Sequence, residues 1–236
     1  MNVALLTAAG CGSRMHQDIP KQFIHIDNKP VIIHTMEAFQ NHPSVDAIIV
    51  VTIDSWIEVL WAYARQFNIE KLKWVVPGGE TGQDSIFNGL SELKKHLTDE
   101  DVVMVHDGNR PLVSSEIISD SLATFSKYGS AVAVIPCTEV VFESEDGKTS
   151  CKSLNREKLF RTQTPHTYKL GDLISAHIQA QKLGIKNTAA SCMLMKELGK
   201  ATYFSKGSEE NLKITTTDDL KIFKALLHTR QDNWIK

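Results

Sequence analysis

The sequence predicts an α/β fold in which helices cover both faces of a mostly parallel sheet. Short β-branched runs recur between Val3 and Ile135, and they are apolar almost throughout, as strands buried on both faces are. Between them lie segments with apolar residues at helical spacing, so strand and helix alternate.

The first run, Val3–Thr7, passes into Ala8, Ala9, Gly10 and Gly12, and residues 30–41 then read as a helix. Ala47–Thr52 is the second strand. Residues 55–67 follow as a helix with Ile57, Leu60, Trp61, Ala64 and Phe67 on one face, its tryptophans reading as core. Trp74–Val76, Val102–Val105 and Ala131–Ile135 are further strands, separated by helices over 81–95 and 115–128. After Pro136 the pattern changes: Val140, Phe142 and the acidic stretch 143–148 read as a hairpin, with Asp146-Gly147 as a two-residue turn. Residues 137 to about 160 thus form a projecting arm. Its Val140, Val141 and Phe142 call for a partner surface, so a homodimer is expected. Asn211–Thr215 reads as a last strand, and Thr216 or Thr217 with Asp218 and Asp219 opens a final helix. No repeat or linker interrupts the pattern, so residues 1–236 read as a single domain carrying this arm.

With 236 residues, 42% of them hydrophobic, the chain can bury a sizeable core. Lys and Arg total 26 against 28 Asp and Glu, and a net charge of −2 gives no general attraction for nucleic acid or anionic membranes. Basic residues must act locally. The opening has no basic region, and no later stretch approaches the roughly 20 apolar residues of a membrane span, so a cytoplasmic protein is expected. Cys11, Cys137, Cys151 and Cys192 lie far apart with no C-x-x-C pair, a pattern of reduced thiols.

Parallel sheets bind ligands at the carboxyl ends of their strands, which singles out three loops. In the first, small residues let backbone N–H groups approach a phosphate chain, Arg14 offers a planar fork of donors and Lys21 a point charge. A tight strand-to-helix turn with solvated cations explains the glycines alone equally well. The second is Pro77-Gly78-Gly79-Glu80 and the third His106-Asp107-Gly108-Asn109-Arg110-Pro111. Read singly, Asp107 and Arg110 can be a structural ion pair, Ser85 a helix cap and Arg156 a solvated side chain. The nine histidines form no metal-like cluster and read as background, with His106 orienting its loop.

Five motifs now stand in order: AAGCGSRM with PKQF, GGETGQDSI, VHDGNRP, NREKLFRTQTPH and NLKITTTDDL. Over nearly the whole chain this series resembles the bacterial CTP-dependent polyol-phosphate cytidylyltransferases. The resemblance implies a three-layer Rossmann-like nucleotidyltransferase fold with a mostly parallel sheet and a projecting β-arm. It also implies transfer of CMP from CTP to a sugar-alcohol phosphate, with release of pyrophosphate. One branch of the family serves isoprenoid synthesis with 2-C-methyl-D-erythritol 4-phosphate as acceptor. The other uses D-ribitol 5-phosphate and makes CDP-ribitol.

A phosphate monoester is largely dianionic at neutral pH, so the barrier is repulsion between two anions and catalysis rests on cations and positioning. By the resemblance, Arg14 and Lys21 neutralise the triphosphate and Lys213 is a second cation at the reacting phosphorus. Asp107 is implied as the Mg²⁺ ligand and a substrate contact, Arg110 as a residue near the acceptor. Arg156 is implied to reach the acceptor phosphate in a neighbouring subunit. Ala8, Ala9, Gly79, Glu80 and Ser85 correspond to the cytosine pocket, with Gly10 and Gly12 in the phosphate loop.

The chain departs from the methylerythritol branch in three places. Glu139-Val140-Val141-Phe142 replaces an Asp-Thr with a lysine two residues later, Asn187-Thr188-Ala189-Ala190-Ser191-Cys192 stands without the acid where Thr-Asp-x-Ala-Ser is usual, and Gly82 stands where an arginine is usual. The arm lysine is also missing from the ribitol branch, which often has a cysteine near position 192, so the acceptor leans to ribitol. A dinucleotide-dependent oxidoreductase fits less well, because Met15 replaces the third glycine of that fingerprint and no acid ends the second strand. A non-catalytic nucleotide-binding protein on the same fold is the other alternative, opposed by the presence of Arg14, Lys21, Asp107 and Lys213 together.

Overall fold

The computed structural model describes residues 1–10 and 19–232. Residues 11–18, which include Gly12 and Arg14, lie outside the described residues. In chain order the elements are β1 (Asn2–Ala8), β2 (His25–Ile26), β3 (Lys29–Pro30), α1 (Val31–Gln40), β4 (Ala47–Thr52), α2 (Ile57–Gln66), β5 (Leu72–Pro77), α3 (Gly82–Leu93) and β6 (Val102–Asp107). They continue with α4 (Ser115–Tyr128), β7 (Ser130–Pro136), β8 (Val141–Glu143), β9 (Lys152–Leu154), β10 (Phe160–Lys169), α5 (Leu170–Lys182), α6 (Ser191–Glu197), β11 (Phe204–Lys206) and α7 (Thr217–Asp232).

Among the described residues the main sheet has seven strands in the order β11-β7-β10-β6-β1-β4-β5. Its neighbours pair in parallel except around β10, which runs antiparallel to both β6 and β7. Alternate residues of each strand feed opposite cores, as the pleat requires. Val3, Leu5, Ile49, Val51, Val103 and Val105 pack with residues of α3, α5 and α6 on one face. On the other, Ala4, Leu6, Ile48, Val50 and Met104 meet α1, α2 and α4. This sandwich is the α/β architecture expected from the apolar runs. A smaller cluster of Val31, Leu112, Ile214 and Phe223 ties α7 to α1 and to the loop after β6.

Local chemistry explains where the helices begin. Thr81 and Asp84 form a capping box at the head of α3, and the Ser114 hydroxyl accepts the Ile117 N–H to cap α4. Thr216 accepts from Asp219 N–H, while the Asp219 carboxylate takes the Thr215 and Thr216 N–H groups, closing the start of α7. Residues 55–67 divide into a short 3₁₀ turn, Asp54–Trp56, and α2. Trp56 and Trp61 are half-buried against the α1/α2 core, and Trp56 stacks on Phe23 at 4.3 Å.

Two expectations are corrected. The hairpin of β8 and β9 forms, but its turn spans residues 144–151; Asp146 accepts from the N–H groups of Lys148 and Thr149, which winds this loop about itself. Residues 211–215 form no strand. Ile214 N–H donates 2.9 Å to the Asn109 carbonyl, and the Asn109 amide donates back to the Ile214 carbonyl, so the segment pairs with a loop in place of a sheet edge. The hairpin makes a two-stranded sheet of its own, and its Val140 and Phe142 are exposed.

Candidate active site

The strand order brings the carboxyl ends of β1, β5 and β6 to one rim, where they border a cleft of about 730 Å³. On the β1 side lie Ala8, Ala9, Gly10 and Lys21. Gln22, almost wholly buried, holds the ends of this loop together: its amide donates to the Ala8 carbonyl and, at 3.3 Å, to the Gly10 carbonyl.

After β5 the backbone folds tightly against this loop. Gly78 N–H donates 2.8 Å to the Thr52 carbonyl, and a Cβ at Gly78 would collide with the Ala9 Cβ. A glycine is therefore required by close approach. Ser85, in the first turn of α3, accepts the Gly79 N–H at 3.1 Å and donates to the Thr81 carbonyl at 2.9 Å. Gly79, Glu80 and Ser85 all line the cleft.

The β6 loop carries the charges. Asp107 accepts from Arg110 Nε at 2.9 Å through one oxygen and from Lys213 Nζ at 2.9 Å through the other. Burial alone would raise its pKa, but the two cations outweigh burial and hold the carboxyl well below the usual carboxylate range. Arg110 also donates to the Asn211 carbonyl at 2.7 Å. Lys213, 106 positions away in sequence, reaches Asp107 because residues 211–214 are pinned to Asn109 and Arg110.

His106 anchors the loop from beneath. Burial pushes its pKa down to about 3, so the ring is neutral. Its Nε2, 3.3 Å from the Arg110 carbonyl, is then the donor, and Nδ1 accepts the Thr164 hydroxyl at 3.0 Å. Thr164 in turn accepts the Asp107 N–H at 3.0 Å. It can do so because β10 breaks register with β7 between Thr162 and His166, which frees this segment from the ladder.

Two segments that the sequence offered only as family motifs, with no role for these residues, complete the wall. Gln163, Thr164 and His166 enter from β10, and Thr188 to Ser191 from the stretch that leads into α6. Gln83 accepts from both the N–H and hydroxyl of Thr188, at 3.1 and 3.0 Å, which fixes that stretch to α3. Burial pushes the His166 pKa down to about 4. The signal for His166 was its place two residues after Thr164, in a polar run too irregular to read as a strand.

Of the predicted site residues, Ala8, Ala9, Gly10, Lys21, Gly79, Glu80, Ser85, Asp107, Arg110 and Lys213 line this one cleft. Arg156 does not. It is exposed at the base of the hairpin and donates 3.0 Å to the Thr138 carbonyl. The structural alternative for Asp107 and Arg110 is met, since these side chains do pair. Among the described residues no group of three or more His, Cys, Asp or Glu is arranged to hold a metal. None of the described helices is long and apolar enough to cross a membrane.

Comparisons with known proteins agree with this geometry. The chain is 41% identical over 233 residues to a ribitol-5-phosphate cytidylyltransferase of Lacticaseibacillus paracasei, covering 98% of this chain and 100% of that one. It is 37% identical to a 2-C-methyl-D-erythritol 4-phosphate cytidylyltransferase of Clostridium botulinum, over 96% of this chain and 97% of the relative. The crystal structure of 4-diphosphocytidyl-2C-methyl-D-erythritol synthase from Anaerococcus prevotii shares the fold, with a TM-score of 0.81 at 22% identity over 96% of each chain. Residues 2–229 match the family model of IspD, 2-C-methyl-D-erythritol 4-phosphate cytidylyltransferase, and the chain belongs to that family.

Proposed function

We propose that this chain is a cytidylyltransferase that transfers CMP from CTP to D-ribitol 5-phosphate and releases pyrophosphate. The observation that carries the reading is the convergence of Lys21, Asp107, Arg110 and Lys213 with residues 8–10 and 79–80 in one cleft. A cleft of about 730 Å³ falls within the range for small-molecule sites, roughly 300–1,000 Å³. The ribitol acceptor rests on the names of the relatives at 41% and 40% identity, on the missing arm lysine and on Cys192.

In this reading the base sits against Ala8, Ala9, Gly79, Glu80 and Ser85. Small residues there admit a pyrimidine and exclude a purine by size. Arg14, Gly10, Gly12 and Lys21 neutralise the triphosphate. Lys213 stands at the reacting phosphorus, where it offsets charge that grows as the acceptor oxygen attacks and pyrophosphate departs.

Mg²⁺ fits the donor set as a substrate-borne ion. It needs few protein carboxylates when phosphate oxygens and water complete its shell, and Asp107 supplies one hard oxygen ligand at the cleft. When bound, the ion neutralises phosphate charge. Lys213 or Arg110 would then yield one oxygen of Asp107.

The exposed Val140 and Phe142 support a homodimer formed through the arm, in which Arg156 reaches the acceptor phosphate in the neighbouring copy's cleft. CTP consumption and three unpaired cysteines among the described residues support work in the cytoplasm.

Pyrophosphate release tests the function. It is expected only when CTP, Mg²⁺ and ribitol 5-phosphate are present together, with a lower kcat/KM on methylerythritol 4-phosphate. Binding of CTP without turnover on either acceptor would overturn the enzyme reading in favour of a non-catalytic nucleotide-binding protein.

A further inference from the structure

His166 enters the cleft from the side of β6 opposite the nucleotide loops, and Ser191 follows the stretch that Gln83 ties to α3. The strand order places β1, β4 and β5 on one side of β6 and β10 on the other. His166 pairs with Val105 of β6, and antiparallel partners share a face, which here is the face covered by α6. Ser191 is the first residue of α6.

Both side chains are 2% exposed, and both line the cleft. His166 Nε2 and Ser191 Oγ have no hydrogen-bond partner among the described residues. A buried polar atom left without a partner is costly, and a ligand in the cleft that met these two would relieve that cost. The chemistry of that ligand follows from the donors. His166 Nε2 donates or accepts according to the tautomer of its ring. Ser191 can donate or accept. Hydroxyl groups on a carbon chain match both.

We propose that His166 Nε2 and Ser191 Oγ read hydroxyl groups of the acceptor's polyol chain and set its specificity. The inference rests on the cytidylyltransferase reading and names the residues that recognise the uncharged part of the acceptor. The phosphate is left to cations, whereas these two atoms reward each correctly placed hydroxyl. An acceptor carrying hydrogen or a methyl group at either position leaves a buried atom unpaired, and such sites discriminate strongly.

The test uses the full chain with His166→Phe and Ser191→Ala. Each variant is expected to lower kcat/KM for ribitol 5-phosphate roughly 5–10-fold while the KM for CTP stays within about twofold. The melting temperature of Ser191→Ala without substrates is expected to hold or rise, because the substitution removes a buried hydroxyl that has no partner in the fold. A ribitol 5-phosphate analogue lacking the hydroxyl that Ser191 reads should lose rate with the wild type and lose little more with Ser191→Ala. Three results overturn the inference: unchanged acceptor kinetics in both variants, an equal rise in the KM for CTP, or a lower melting temperature for Ser191→Ala. If the wild type turns over only methylerythritol 4-phosphate, the ribitol reading falls, and the same variants are judged on that acceptor's hydroxyls. If it turns over neither, the inference falls with the function.

Discussion

Lys213 and Asp107 meet at 2.9 Å, and the lysine is 41% exposed while the carboxylate is 17% exposed and is also held by Arg110. The lysine can therefore be removed without orphaning its partner. Lys213→Met is expected to lower kcat about 10²–10³-fold, the range seen when one group stabilising developing charge is deleted, with little change in urea midpoint. Equal losses in activity and stability would show that Lys213 acts as a structural clamp.

Asp107→Ala has the opposite balance. It strands Arg110, whose side chain is 11% exposed, without the carboxylate that balances it. A loss of about 3–5 kcal/mol in unfolding free energy is expected, in addition to lost turnover. A smaller effect, under about 1 kcal/mol, would mean that the Asn211 carbonyl alone satisfies the guanidinium.

Burial holds His106 at about 3 and both His166 and His177 at about 4, against roughly 6.5 in an unfolded chain. The unfolded state binds more protons below pH 6.5, so stability is expected to fall as pH drops from there toward 4. Each histidine contributes about 1.4 kcal/mol per pH unit within that window. His177 stacks on Phe87 away from the cleft, and His177→Phe should make the decline shallower without altering the CTP site. Urea titrations at pH 7, 6 and 5 measure the slope; an unchanged slope in the variant would contradict the assignment.

Gly89 faces the sheet from α3, where a Cβ would lie 2.8 Å from both Leu5 Cδ1 and Val51 Cγ2. Gly89→Ala is expected to destabilise by about 1–3 kcal/mol through overpacking, despite the better helix propensity of alanine. A stabilised variant would indicate that helix and sheet separate at little cost.

Mixed dimers test the arm. Combining Arg156→Ala chains with Lys213→Ala chains, each inactive alone, is expected to restore part of the activity if Arg156 serves its neighbour. No recovery in verified mixed dimers would assign Arg156 to its own subunit's cleft or to no site.

The strands β1, β4, β6 and β7 were legible because strands buried on both faces are apolar on both sides, and runs as short and β-branched as Ala47–Thr52 favour strand over helix. Asp107, Arg110, Lys21 and the glycines stood out because charged and conformationally permissive residues cluster at strand ends. Strand β10, FRTQTPHTYK, was hidden by the polar side chains it delivers to the cleft. Asn211–Thr215 has strand-like composition, yet the Asn109 amide claims its pairing. The unpartnered atoms of His166 and Ser191 depend on what three distant segments leave unfilled, and no local pattern encodes that.

The insertion of β10 between β6 and β7 has a consequence for biosynthesis. Strand β7 leaves the ribosome before β10, and among the described residues its main-sheet neighbours are β10 and β11, so its pairing waits until residues near 169 emerge. Until then β6 presents an open edge, the kind of surface through which nascent chains aggregate. Truncations ending near residue 150 should therefore be insoluble, and a stalled chain of that length should need a chaperone that truncations ending after α5 do not.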